Sequence, residues 1–129
     1  ALYAGGDYDN IANDPSLFYV YAGVMPGKTT DEVEQALYAE IEKLKTTPVA
    51  DEELQKAKNQ IESSFIMGQD SIFYQAMLLG QFETVANWRL LEKYVENIRA
   101  VTKEDVMRVA TQYFTQDNRT VGILVPTKK

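Results

Sequence analysis

The chain has 129 residues, 45% of them apolar and 25% charged, which is typical of one folded domain. No segment reaches the run of about 18 apolar residues that a membrane-spanning helix needs. Nineteen acidic residues face thirteen basic ones, and the net charge of −6 argues against a general binder of nucleic acid or anionic membranes, since both attract cations. The absence of cysteine and histidine excludes disulfides, thiolate nucleophiles, Ser–His and Cys–His catalysis, and zinc held by thiolate or imidazole.

Two strands are predicted before the helices. Residues 1–8 match the end of a strand, although Gly5 and Gly6 weaken that prediction. A set of turn-forming residues follows. Residues 17–24 are then mostly β-branched and aromatic, which predicts a strand buried on both faces. Because Ala1 lies inside a predicted strand and is not methionine, we expect the chain to be part of a longer protein.

Two helices are predicted next from apolar residues at helical spacing. The first covers residues 30–44, and Thr29 and Glu32 have the spacing of a capping box at its start. Its apolar residues fall on one stripe, formed by Val33, Leu37, Ile41 and Leu44. The second begins near Asp51 and ends or bends at Gly68.

Three further helices and a strand complete the chain. Residues 71–85 are apolar on several faces, so this helix is expected to be enclosed by other elements. Residues 88–98 predict a fourth helix, and the fifth opens at Thr102, a good N-cap. Residues 120–125 predict a final strand.

The order of the elements indicates the fold class. Strands and helices are segregated along the chain, which favours α+β over alternating βαβ units. We predict that residues 1–129 are a fragment of a single domain. Three strands make a thin sheet for five helices, so further strands are expected from polypeptide outside this chain or from a partner.

An acidic turn offers oxygen atoms that could bind calcium. Its members are Asp7, Asp9, Asn10, Asn13 and Asp14. An EF-hand loop would need a glycine at its sixth position, where Ile11 and Ala12 stand instead. A loop between two strands is the favoured interpretation.

Paired carboxylates could in principle support glycoside hydrolysis. The candidates are Glu32, Glu34, Glu40, Glu42, Glu52, Glu53 and Glu62. All lie on predicted solvated helix faces among lysines, so ion pairing along the helices is favoured.

Three smaller features have both a functional and a structural interpretation. Residues 118–120 match a glycosylation acceptor, a tripeptide that is frequent by chance. Arg89 could contact a peptide, or it could simply lie over its neighbour Trp88. Gly5 and Gly6 could bring the backbone close to a ligand, but a tight strand or a bulge is favoured.

Several motifs occur in a fixed order along the chain. They are Tyr8-Asp9, Asp14-Pro15-Ser16-Leu17-Phe18, Pro26-Gly27-Lys28-Thr29, residues 51–61, residues 101–106 and the closing residues 120–125. Together they resemble a lobe of the pitrilysin/insulinase-type zinc metallopeptidases, from about Tyr8 to Pro126. Their order and spacing carry the resemblance, since no single motif is specific.

The resemblance implies a lobe with an antiparallel-rich sheet packed by several helices, here truncated at its N-terminus. In that family two such lobes face one another around a chamber. One lobe binds zinc through His-x-x-Glu-His and a further Glu, and the motif Glu activates water. The chain is most similar to the C-terminal lobe of the bacterial two-lobed type, which lacks that motif. The implied zinc therefore belongs to a partner lobe, and no catalytic, cofactor-binding or metal-binding residue is assigned to this chain.

The resemblance also implies a pair of residues that assists substrate binding. The C-terminal lobe often supplies an Arg and a Tyr that hold the substrate carbonyl. The Arg would precede Ala1, and the Tyr position falls at Leu2, with Tyr3 beside it. Neighbouring strand residues point to opposite faces, so Tyr3 is not an automatic replacement.

We therefore expect an inactive lobe that shapes a peptide-binding chamber in a bacterial zinc metallopeptidase, with no enzymatic activity of its own. A His-bearing lobe on the same or a neighbouring polypeptide would cleave the peptide, and residues 1–8 could hold extended peptide by strand addition. The expected partners are that lobe and peptide substrate, without nucleic acid, and the bacterial periplasm is favoured over the cytoplasm. Two alternatives are a non-enzymatic scaffold or assembly subunit of the same fold and a self-standing helical binding module.

Overall fold

The computed structural model describes residues 1–9 and 11–125. The elements are β1 Tyr3–Tyr8, β2 Phe18–Gly23, α1 Thr30–Thr46, α2 Asp51–Gly68, α3 Ile72–Val85, a 3₁₀ helix Trp88–Lys93, α4 Tyr94–Ala100 and α5 Lys103–Tyr113. Strands precede helices, and the predicted α+β class is confirmed. The single-domain fragment stays a prediction. Its residues 126–129, including the end of the resemblance at Pro126, lie outside the described residues, as does Asn10.

Local sequence signals set the ends of α1 and α2. Thr29 Oγ1 accepts the N–H of Glu32 at 3.2 Å, and Glu32 Oε2 accepts the N–H of Thr29 at 2.9 Å, so the capping box is confirmed. The predicted apolar stripe of α1 is its more buried face, formed by Val33, Leu37, Ile41 and Leu44. α2 ends at Gly68, as predicted. Among the described residues, no helix combines the length and the apolar character needed to cross a membrane.

The fourth predicted helix forms as two different helices. Trp88–Lys93 is a 3₁₀ helix, and only Tyr94–Ala100 is an α-helix. Asn87 Oδ1 accepts the N–H of Arg89 at 2.9 Å and caps the 3₁₀ segment. In so short a segment, the spacing of apolar residues does not distinguish a 3₁₀ helix, which has i→i+3 hydrogen bonds, from an α-helix, which has i→i+4 hydrogen bonds. α5 begins directly after Thr102, as predicted for an N-cap at that position.

β1 and β2 form a two-stranded sheet that is open to solvent. The N–H of Leu2 donates to the carbonyl oxygen of Gly23 at 2.8 Å, next to the paired strands. The prediction that residues 17–24 are buried on both faces is wrong for this chain, because Tyr19 and Tyr21 expose 57% and 53% of their surface. Burial of both faces needs a covering layer on each side of a sheet.

The predicted closing strand is also wrong within the described residues. Residues 120–125 have neither strand nor helix structure, and their apolar side chains are exposed. A strand-forming sequence becomes a strand only when a neighbouring strand completes its hydrogen bonds, and that information is not local.

The chain divides into two compact units. Among the described residues, the first combines residues 1–5, 20–48 and 104–125; Val33 and Ala110 are buried in it. The second combines residues 6–9, 11–19 and 49–103. Within it α4 packs on α2, the 3₁₀ helix packs on α3, and Leu78 is buried.

Aromatic and polar contacts join α2 to α4 inside the second unit. The ring centres of Phe65 and Tyr94 are 4.8 Å apart. Arg99 Nε donates to Glu62 Oε2 at 2.9 Å, and Lys58 Nζ donates to the carbonyl oxygen of Arg99 at 2.9 Å. These contacts fix α4 in one position along α2.

The prediction that α3 is enclosed is wrong for the described part of the chain. Leu78 is buried, but Ile72 and Phe73 are largely exposed. Met77 and Leu79 are exposed as well. Apolar side chains grouped on a surface in this way usually mark a region that another polypeptide covers.

Candidate functional site

The strand pair places tyrosine rings directly over glycines. A β-carbon added at Gly5 would lie 2.6 Å from the hydroxyl oxygen of Tyr21, and one added at Gly23 would meet the ring of Tyr3. Side chains alternate along a strand, so these four residues share one face of the sheet. A larger residue at either position would therefore displace a tyrosine ring.

The opposite face is built around Gly6. A β-carbon added there would lie 3.3 Å from the carbonyl oxygen of Tyr19 and 3.5 Å from the ring of Phe18. The ring centres of Phe18 and Tyr8 are 6.4 Å apart. The close approach at Gly5 and Gly6 is therefore made by β2 itself, in agreement with a tight strand pair.

The position expected for an auxiliary tyrosine is occupied by Leu2, which is exposed. The neighbouring Tyr3 is also exposed, but its ring rests against Gly23 on the far strand. The structure therefore assigns Tyr3 a packing contact in the strand pair, and the assignment of no catalytic residue to this chain stays a prediction.

Asp9 organises the acidic turn between the strands. Its Oδ1 accepts the N–H of Ile11 at 2.9 Å, and its carbonyl oxygen accepts the hydroxyl of Ser16 at 2.7 Å. The hydrogen bond from Ile11 forms a local turn, and the one from Ser16 closes the loop that follows Asp9. In the described part of the chain, no three of the residues Asp, Glu, His and Cys lie close enough together to hold a metal ion.

The candidate glutamates are distributed over helix surfaces. Four of them pair with a lysine or arginine, namely Glu32 with Lys28, Glu40 with Lys43, Glu42 with Lys45 and Glu62 with Arg99. Glu34 accepts the hydroxyl of Tyr38 at 2.5 Å. Glu52 and Glu53 are exposed in the first turn of α2, where a negative charge complements the helix dipole. None of these contacts brings two of the glutamates together as a catalytic pair.

Two of these carboxyls are held in their ionised form. The pKa of Glu32 is lowered mainly by the hydrogen bond from the N–H of Thr29 and then by Lys28. The pKa of Glu62 is lowered mainly by the hydrogen bond from Arg99. A general acid in hydrolysis needs a raised pKa, so both shifts run against that role.

The remaining candidates have structural contacts. The guanidinium carbon of Arg89 lies 4.8 Å from the ring centre of Trp88, as the structural interpretation predicts. Asn118 Nδ2 donates to the carbonyl oxygen of Tyr113 at 3.2 Å and closes the turn after α5.

Sequence reasoning missed one cluster in the first unit. The guanidinium carbon of Arg119 lies 4.0 Å from the ring centre of Tyr38, whose hydroxyl donates to Glu34. That hydrogen bond is the main cause of a raised pKa at Tyr38, which keeps the phenol protonated. No local pattern relates residue 119 to residue 38, so only the structure reveals this cluster.

Comparisons with known proteins match this chain to an inactive peptidase domain and to zinc proteases. Residues 2–61 match the family model described as the Peptidase M16 inactive domain. The chain is 27% identical over 114 residues to an uncharacterized zinc protease of Rickettsia felis. That match covers 88% of this chain and 27% of the relative. It is 27% identical over 113 residues to zinc protease PqqE of Helicobacter pylori, with 88% of this chain and 26% of the relative covered. The chain thus spans about a quarter of the length of these curated relatives.

Solved structures give the same result for the fold. The inactive peptidase domain of a protein assigned as a zinc protease from Bordetella parapertussis matches 98% of this chain with a TM-score of 0.86 and 28% identity. The match covers 67% of that chain. A protein assigned as a zinc protease from Bordetella pertussis matches 96% of this chain and 68% of its own, with a TM-score of 0.83 and 27% identity.

Proposed function

We propose that this chain, whose residues 2–61 match the Peptidase M16 inactive-domain model, belongs to that family and forms part of the wall of a peptide-binding chamber in a bacterial zinc protease. A His-bearing lobe, on the same or a neighbouring polypeptide, would hold the zinc ion and cleave the peptide. The observation that carries the proposal is the match of 98% of this chain to a solved inactive peptidase domain. The protein that contains that domain is itself assigned as a zinc protease.

The donor atoms of this chain do not fit a zinc-protease site. Such sites use histidine nitrogens together with a carboxylate, and the sequence has no histidine. Four of the seven glutamates that could contribute an oxygen are instead paired with a lysine or an arginine. The chemistry is therefore assigned to the other lobe, and no step is routed through residues of this one.

The strand pair is the part of this wall that we assign to peptide contact. Tyr3, Tyr19 and Tyr21 are exposed on it, and tyrosine offers both an apolar ring and a hydroxyl to a peptide. A two-stranded sheet also leaves strand edges to which an extended peptide could add by backbone hydrogen bonds. Backbone pairing would tolerate many peptide sequences.

Kinetics of the complete natural protein with its catalytic lobe would test the proposal. Tyr21→Ala should raise KM for a fluorogenic peptide by about fivefold, the loss of roughly 1 kcal/mol of binding, because it removes a wall contact. The value of kcat and the zinc content should stay unchanged. Arg89→Ala is the control, since it removes an exposed arginine from the second unit and should leave KM unchanged.

Two results would contradict the proposal. A Tyr21→Ala protein that keeps its zinc and its KM but loses kcat would place catalytic chemistry in this lobe. A catalytic lobe that cleaves the peptide equally well after removal of this lobe would favour the non-enzymatic scaffold.

A further inference from the structure

Asp7 and Tyr19 lie on one face of the strand pair, near the turn that joins the strands. A β-carbon added at Gly6 would lie 3.5 Å from the ring of Phe18, so Gly6 and Phe18 share a face. The next residues, Asp7 and Tyr19, therefore share the opposite face, since side chains alternate along a strand. Both are exposed. This face offers a partner an aromatic ring on one strand and a carboxylate on the adjacent strand.

This end of the strand pair carries negative charge without a cation of its own. No lysine or arginine precedes Lys28 in the sequence, whereas Asp7, Asp9 and Asp14 all lie in that stretch. Among the described residues, none of these three carboxylates takes part in an ion pair. The surface is therefore complementary in charge to a cationic partner.

Elsewhere the chain itself supplies an arginine to a tyrosine ring and a carboxylate. The guanidinium carbon of Arg119 lies 4.0 Å from the ring centre of Tyr38, whose hydroxyl donates to Glu34. On the face formed by Asp7 and Tyr19, the ring and the carboxylate receive no such lysine or arginine from the part of the chain that the structure describes. A basic side chain from a partner would complete the same combination of groups.

We propose that the face formed by Asp7 and Tyr19 docks lysine or arginine side chains of an extended peptide, so that the chamber prefers basic peptides. The inference rests on the proposed function, which assigns peptide contact to the strand pair, and it adds the chemical class of the peptide. An ammonium or guanidinium group would lie over the Tyr19 ring and pair with the Asp7 carboxylate. Alternate side chains of an extended peptide point the same way, so basic residues at alternate positions would fit best.

Peptide binding to the complete natural protein tests this preference. A zinc chelator is added so that labelled peptides bind without being cleaved, and Kd is measured by fluorescence anisotropy at low ionic strength. Two peptides are compared that differ only in carrying lysine or glutamine at the same alternate positions. Kd should be at least about fivefold lower for the lysine peptide, and this preference should fall in high salt because exposed charges are screened. Equal Kd values, or no binding of either peptide, would overturn the proposal.

Charge-matched variants test where the preference arises. Asp7→Asn should reduce it to about twofold or less. Asp70→Asn is the control, since it removes an exposed carboxylate outside the strand pair and should leave the preference unchanged. Tyr19→Leu should also reduce the preference, whereas Tyr19→Phe keeps an aromatic ring and should retain it. A preference that survives both Asp7→Asn and Tyr19→Leu would contradict the proposal.

This inference and the proposed function fail in different ways. Tighter binding of the lysine peptide, with no cleavage once zinc is restored, would contradict the protease and support the docking of basic side chains. Cleavage of both peptides with equal Kd values would support the protease and overturn the docking of basic side chains.

Discussion

Arg99 Nε donates to Glu62 Oε2 at 2.9 Å and so joins two helices through residues that are 37 positions apart in the chain. The same arginine accepts a hydrogen bond from Lys58 through its carbonyl oxygen. The rings of Phe65 and Tyr94, on the same two helices, have their centres 4.8 Å apart. α2 and α4 are therefore held by an ionic and an aromatic contact together.

The ion pair predicts a pH dependence of stability. The pKa of Glu62 is lowered in the folded chain, so its contribution is fully present above the ordinary carboxyl pKa and is lost as pH falls through the lower, folded value. Glu62→Gln should thus be less stable than the parent near neutral pH, and the difference should vanish in acid. Urea denaturation at several pH values measures it. Glu40→Gln, in an exposed pair within α1, is the control and should show the smaller deficit.

The capping box predicts a local loss of helix stability. Thr29→Ala removes the oxygen that accepts the N–H of Glu32 and should cost about 1 kcal/mol of unfolding free energy. Thr30→Ala is the matched control, since the Thr30 hydroxyl donates to the neighbouring Asp31 and is not part of the capping box. Equal losses in the two variants, from urea denaturation, would show that the cap is not formed.

Predictions from the sequence were correct where the interactions involved lie close together in the chain, and wrong where they depend on distant or separate polypeptide. The starts of α1 and α5 and the end of α2 were predicted, because a capping box, an N-cap and a glycine act within one turn. Burial of residues 17–24 and pairing of residues 120–125 were predicted wrongly for this chain, because both depend on distant or separate polypeptide. The pairing of Glu62 with Arg99 depends on tertiary packing in the same way.

Two glycines should respond oppositely to the same substitution. Gly5→Ala forces the exposed Tyr21 ring to move off its position over β1 and should cost up to about 1 kcal/mol of unfolding free energy. Gly80 lies inside α3 with open space around it, so Gly80→Ala should stabilise the chain by about 0.5–1 kcal/mol. Thermal unfolding of both variants measures the signs. A stabilising Gly5→Ala would show that the tyrosine does not lie over the glycine.

Two phenylalanines should separate stability from association. Phe65→Ala removes the contact with Tyr94 and should cost about 2 kcal/mol. Phe73 is 79% exposed, so Phe73→Ala should change the unfolding free energy by less than about 0.5 kcal/mol. It should, however, reduce self-association of the isolated chain in light scattering, because it removes exposed apolar surface. Unchanged self-association would contradict the interpretation that another polypeptide covers the exposed apolar surface of α3.

Zinc binding and peptide hydrolysis by the purified 129-residue chain test the central claim most directly. The chain would be dialysed against zinc, its metal content measured, and a fluorogenic peptide added with other proteases excluded by inhibitors. A non-catalytic wall predicts no stoichiometric zinc and no cleavage until the His-bearing lobe is added. One tightly held zinc ion per chain, or cleavage by this chain alone, would contradict the account.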